Sequence, residues 1–113
     1  LEESNAWIYP HLHAAARRMT QIARRHLAST DAYVTRLMAQ AARELLLAQS
    51  SDWAFLMKTG TARDYAVRRT EAHIHRFTRL YEQAVDGVRD EPFLANCEAR
   101  DNIFPNINWR YYA

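Results

Sequence analysis

Turn-forming residues are scarce in this sequence: its 113 residues include only two glycines and three prolines. An all-β fold, with its many tight connections, needs far more of both, so helices are the expected element. Cysteine is represented by Cys97 alone, which excludes an internal disulfide framework and fits a reducing compartment, so a cytoplasmic location is expected. No apolar run approaches the roughly 20 residues that a membrane span requires, and no membrane partner is expected. There is no initiator Met and no charged region leading into an apolar stretch, so Leu1 reads as a cut end.

A dominant charge is lacking too. Fifteen basic residues stand against 13 acidic ones, unlike the concentrated positive field of a dedicated nucleic-acid binder, and no nucleic-acid partner is expected. What is plentiful is apolar surface. Hydrophobic residues make up 49% of the chain and charged residues 25%, a globular balance. The length suits one domain with its own core and is too short for two, so residues 1–113 are read as a single domain.

Periodicity organises the chain into helices. Ile8, Leu12, Ala15, Met19 and Ile22 recur at spacings of four and three, which keeps them on one stripe. Ser4 or Asn5 is the expected cap, with Pro10 tolerated in the first turns. Thr30 or Asp31 opens a second helix through Val34, Leu37, Met38, Ala41, Leu45 and Ala48, with an end expected near Ser50-Ser51. A separate short helical piece is expected from Asp52 to Lys58, broken by Gly60. Thr61 and Asp64 have capping-box spacing and introduce the longest helix, with a stripe of Val67, Ile74, Phe77, Tyr81, Ala84 and Val88. Asp90-Glu91-Pro92 is a helix-start signature for a last helix reaching Arg100. The tail from Asn102 is too apolar to hang free in water, with Ile103, Phe104, Ile107, Trp109, Tyr111 and Tyr112. The expected fold is all-α: a compact bundle of about four to five helices with an ordered aromatic C-terminal tail.

Candidate chemistry is sparse. Two His-x-His pairs, His11/His13 and His73/His75, suggest a metal chelate, but residues two apart on a helix point about 200° away from each other, so neither pair grips an ion alone. No metal and no cofactor is expected. Arginine outnumbers lysine fourteen to one, and the doublets Arg17-Arg18, Arg24-Arg25 and Arg68-Arg69 make a basic face. Glu44, Glu71, Glu82 and Asp86 are its expected surface partners. Neither Cys nor Ser stands in a nucleophile elbow or helix-start context, and the acidic pairs Glu2/Glu3 and Asp90/Glu91 are explained by helix dipoles, so no catalytic residue is assigned. Asp52, Trp53 and Phe55 are the exception worth naming. An acid beside two aromatics can hydrogen-bond sugar hydroxyls while a ring stacks on a pyranose face. The same cluster also suits a bundle core, and the sequence leaves both uses open.

Several short motifs carry a resemblance over essentially the whole chain: residues 5–13, Asn-Ala-Trp-Ile-Tyr-Pro-His-Leu-His, with Met19; then Ser50-Ser51-Asp52-Trp53, Lys58-Thr59-Gly60-Thr61, Tyr65-Ala66 and Asn102-Ile103-Phe104-Pro105. Together they resemble the C-terminal helical domain of family 57 glycoside hydrolase-type 1,4-α-glucan branching enzymes. The resemblance implies a parent that cuts an α-1,4-glucan and moves the freed segment to a 6-hydroxyl through a covalent glycosyl-enzyme, in glycogen-type synthesis. It implies that the Glu nucleophile and Asp acid/base lie in a preceding β/α barrel, which no motif of this chain matches, so the chain alone is expected to be inactive. The domain would wall the α-glucan cleft with Asp52 and Trp53, Phe55 standing behind them. Ala16, Asn106 and Asn108 depart from acids expected in the family pattern. Two rival readings are a family 57 amylase or 4-α-glucanotransferase domain and a non-catalytic protein-interaction module. Separated from its barrel, the domain is expected to self-associate through an uncovered apolar face.

Overall fold

The computed structural model describes residues 7–113. Four α-helices follow one another: α1 (Ile8–Arg25), α2 (Ala32–Met57), α3 (Gly60–Asp86) and α4 (Glu91–Arg100), before a short 3₁₀ turn at Trp109–Tyr112. The fold is all-α, and no strand occurs among the described residues. The long α2–α3 hairpin dominates the packing, and its length sets the 45 Å long axis of a body about 25 Å across.

Local chemistry explains three of the helix ends. The Asp31 carboxylate accepts the Val34 amide at 3.0 Å and starts α2; Asp90 does the same for Phe93 at 3.1 Å and starts α4, with Pro92 in its first turn. Gly87 takes φ +74°, a left-handed conformation that suits glycine, and its N–H closes α3 on the Gln83 carbonyl. That turn removes Val88 from the α3 stripe and leaves it 72% exposed, contrary to its reading as a core position. Pro10 is the third residue of α1, where its missing donor is harmless. Ser4 and Asn5 lie outside the described residues.

Two boundaries differ from the sequence reading. Helix α2 does not end at Ser50-Ser51 but continues unbroken to Met57, absorbing the piece expected to be separate. Serine costs only a few tenths of a kcal/mol in a helix, up to about 0.7. Here Ala48, Ser51 and Phe55 extend the buried stripe at spacings of three and four, and the packing of Ala48 and Phe55 against Ile8, Leu12, Ala66 and Val67 outweighs that cost. Nor does Thr61 cap α3. The helix begins one residue earlier at Gly60, after Thr59, and Thr59 makes no side-chain cap bond.

The main core joins all four helices and the tail through residues such as Met19, Met38, Leu45, Phe77, Leu94 and Trp109. The tail is docked, as its apolar content predicted, and arginines hold it by its carbonyls. Arg43 Nε donates to Ile103 O at 2.8 Å, and Arg24 Nε donates to Ala113 O at 2.9 Å. Trp109 is 2% exposed, whereas Tyr111 and Phe104 remain on the surface.

Candidate functional site

The start of α1, the end of α2 and the start of α3 meet at one end of the bundle, tied by a second core of Ile8, Leu12, Ala48, Phe55, Ala66 and Val67. Large apolar side chains are left exposed around this end: Trp7, Trp53, Leu56, Met57 and Tyr65. An apolar groove of about 400 Å³ opens between α2 and α3 there, with Ala54, Ala62 and Tyr65 in its walls and Lys58 and Arg69 at its rim.

Asp52, Trp53 and Phe55 all lie at this end, and helix geometry separates them. Trp53 is 65% exposed, whereas Phe55, about 200° further round α2, is 1% exposed and belongs to the core beneath. Asp52 sits between these extremes. One of its carboxylate oxygens, Oδ1, is buried without a hydrogen-bond partner. Burial pushes the Asp52 carboxyl above its ordinary range. The Tyr9 hydroxyl is pushed up as well, first by burial and then by the Asp52 charge, so the two groups sense each other across the α1–α2 contact.

A second cluster was not anticipated. Glu44 is completely buried and accepts a hydrogen bond from His73 Nδ1 at 2.8 Å and another from Gln40 Nε2 at 2.9 Å. Asp101, the residue that ends α4, brings Oδ2 to 3.7 Å from His73 Nδ1 and takes Arg76 at 3.1 Å. Glu44 is therefore no surface partner for arginine. Burial raises its carboxyl, Asp101 raises it further, and the bonds from His73 and Gln40 pull the other way. Close by, the Cys97 thiol is pushed up to about 12, chiefly by burial, and stays protonated at neutral pH. The signal for this cluster was present in the sequence: Gln40 and Glu44 stand four apart among Leu37, Ala41 and Leu45, two polar residues on a core face.

Glu44, His73 and Asp101 offer three ligand atoms within 4.8 Å of one another, the spacing of a metal site. Their donors fit a hydrogen-bonded knot better. Arg69 lies 3.3 Å from His73 Nε2 and can only donate, which leaves the ring proton on Nδ1, where Glu44 accepts it. Arg76 already supplies the positive charge beside Asp101. The His-x-His pairs divide differently: His73 is in this knot, while His11 and His75 line a shallow cavity with Trp7 and Glu71, and His13 faces outward. The basic residues also disperse, with Arg18 over the Tyr81 ring and Arg69 over Tyr65.

The described residues form an all-α bundle with a group of large apolar side chains exposed at one end. A family model described as "1,4-alpha-glucan branching enzyme, C-terminal" matches residues 11–112, and the chain belongs to that family. A 1,4-α-glucan branching enzyme of Thermococcus kodakarensis is 40% identical over 106 residues, 90% of this chain and 16% of that protein. The crystal structure of the α-amylase AmyC from Thermotoga maritima superposes with a TM-score of 0.88 at 48% identity, over 99% of this chain and 22% of that one. The GH57-type branching enzyme from Pyrococcus horikoshii superposes at 0.80 and 41% identity, over 94% of this chain and 20% of that one. The chain thus spans about a fifth of the length of these relatives.

Proposed function

We propose that this domain works within a larger 1,4-α-glucan branching enzyme, where it packs on a catalytic β/α barrel outside these residues and walls the α-glucan cleft. The observation that carries this reading is the unpartnered, buried Oδ1 of Asp52 at the open aromatic end. A sugar hydroxyl is a donor of the kind that oxygen lacks, and the neighbouring Trp53 ring has a face free for a pyranose. Phe55 supports the pair from within. The bond-breaking carboxylates belong to the barrel, and this chain binds and positions glucan for transfer to a 6-hydroxyl. The parent acts in glycogen-type polymer synthesis in the cytoplasm, a setting compatible with a lone buried thiol.

The test uses a polypeptide extended through the barrel, acting on amylose, with new α-1,6 linkages and new reducing ends scored separately. Branches should far outnumber reducing ends. Asp52→Ala should lower kcat/KM by roughly 10- to 100-fold, the loss of one hydrogen bond to a charged group, about 1.5–3 kcal/mol. A second reading, an α-amylase domain, draws on the similarity to AmyC, which at 48% exceeds that to the branching enzymes. Reducing ends alone would favour it. No action on glucan at all would leave a protein-interaction module as the better account.

A further inference from the structure

We infer that a groove between the first half of α2 and the tail is a separate binding site for a hydroxyl-bearing phosphomonoester, a sugar phosphate in chemical class. The groove measures about 600 Å³, within the range of small-molecule sites, roughly 300–1,000 Å³. Arg36 and Arg43 reach it from α2, and Asn106, Asn108, Trp109 and Arg110 from the tail. Its nearest α2 residue, Arg43, is nine residues from Asp52, roughly 13 Å along the helix at about 1.5 Å per residue. The site is therefore distinct from the open aromatic end.

Its charge is positive after internal pairing. Glu98 also lines the groove and takes Arg36 at 2.6 and 3.2 Å, and the same Arg36 holds Glu91 at 3.1 Å, so its charge is fully spent on these two carboxylates. Arg43 spends its Nε on the Ile103 carbonyl at 2.8 Å, Nη1 on Gln40 at 2.9 Å and one Nη2 donor on the Pro105 carbonyl at 3.5 Å. Arg110 gives Nε to Leu27 O at 3.2 Å and Nη2 to Ser29 O at 2.9 Å. These acceptors are neutral. Among the described residues, no carboxylate pairs with Arg43 or Arg110, so two guanidinium charges stay uncompensated on opposite walls. A guanidinium carries five N–H donors, more than these bonds consume.

Trp109, one of the lining residues, supplies an independent observation. Trp109 is almost wholly buried, yet its indole N–H has no acceptor. A buried donor left unpaired is uncommon in a native protein and calls for a partner from elsewhere. Arg110 lies over the same ring, its guanidinium carbon 4.3 Å from the ring centre, so an anion that engages Arg110 disturbs the surroundings of the indole. Phosphate oxygens match the guanidiniums, and the Asn106 and Asn108 amides match hydroxyls. An all-apolar ligand would gain nothing from this lining.

The chain has three tryptophans, so the indole N–H region of a ¹⁵N-labelled protein resolves Trp7, Trp53 and Trp109 individually. The experiment titrates it with glucose 6-phosphate, inorganic phosphate and glucose in parallel. Glucose 6-phosphate should shift the Trp109 signal saturably and leave Trp7 and Trp53 in place. Phosphate should do so at least several-fold more weakly, and glucose not at all. Arg110→Gln should weaken glucose 6-phosphate tenfold or more. Should that change loosen the tail, visible in the unliganded Trp109 signal, Asn106→Ala decides instead: it should weaken glucose 6-phosphate severalfold while leaving phosphate unchanged. A Trp109 signal indifferent to both phosphates, or a response shared by all three tryptophans, overturns the site. Equal affinity for phosphate and glucose 6-phosphate overturns the sugar part.

Discussion

Glu44 and His73 show how much rests on one buried contact. Glu44→Leu leaves the His73 N–H without its acceptor, while Gln40 keeps the Cys97 and Asp101 carbonyls, and a buried donor left unpaired typically costs about 1–3 kcal/mol. Replacing both Glu44 and His73 by leucine should recover much of that loss, because two apolar groups need no partner. Urea unfolding of the two variants checks it. Asp52 makes a different residue-scale prediction. Its folded value lies above the ordinary 3.8 because burial disfavours the charge. Ionised Asp52 therefore opposes folding at neutral pH, and the penalty vanishes once the carboxyl is protonated in both states, below 3.8. Asp52→Asn should raise Tm at pH 7, with the gain shrinking to nothing as the pH falls below that value. The sequence pointed to Asp52 through its aromatic neighbours. For Glu44 the local pattern shows only a polar residue on a core face; its partner His73 stands 29 positions away, so what satisfies it there is not legible from the helix alone.

At the scale of elements, the starts set by Asp31 and Asp90 were legible because a carboxylate capping an amide three residues on is a local interaction. The end of α2 was not. Ser50-Ser51 is a reasonable local stop, and only the packing of Phe55 under Ile8 and Ala66 carries the helix past it. A proline at Ser51 should therefore cost about 3 kcal/mol or more, as in any helix interior, instead of the small effect expected at a loop. Gly60 tests the turn itself. Its φ is +59°, and an added Cβ would meet nothing within 4 Å, so Gly60→Ala isolates the backbone cost. About 1–2 kcal/mol is expected from thermal unfolding.

For the whole molecule, the exposed Trp53, Met57 and Tyr65 stand together at one end. The chain spans about a fifth of the length of its relatives, and on the proposed reading a neighbouring domain covers this face. The chain by itself should associate at high concentration in sedimentation velocity, and Trp53→Ser with Met57→Ser should restore a monomer while lowering the unfolding free energy by no more than about 1 kcal/mol, about 0.5 for each surface position. The family motifs made the fold and this open end readable together. They said nothing of the tail groove, whose walls come from α2 and a segment some 60 residues later and meet only in the folded chain.

The turn between α2 and α3 contains Lys58, the one lysine in the sequence. A lysine-specific protease thus has a single bond to cut, in an exposed two-residue link. Cleavage would yield residues 1–58 and 59–113 as separate peptides, with Glu44 on one and His73 on the other. The knot and the shared core would then hold the halves together without a covalent connection, and two peptides made apart would have the means to find each other and rebuild the domain.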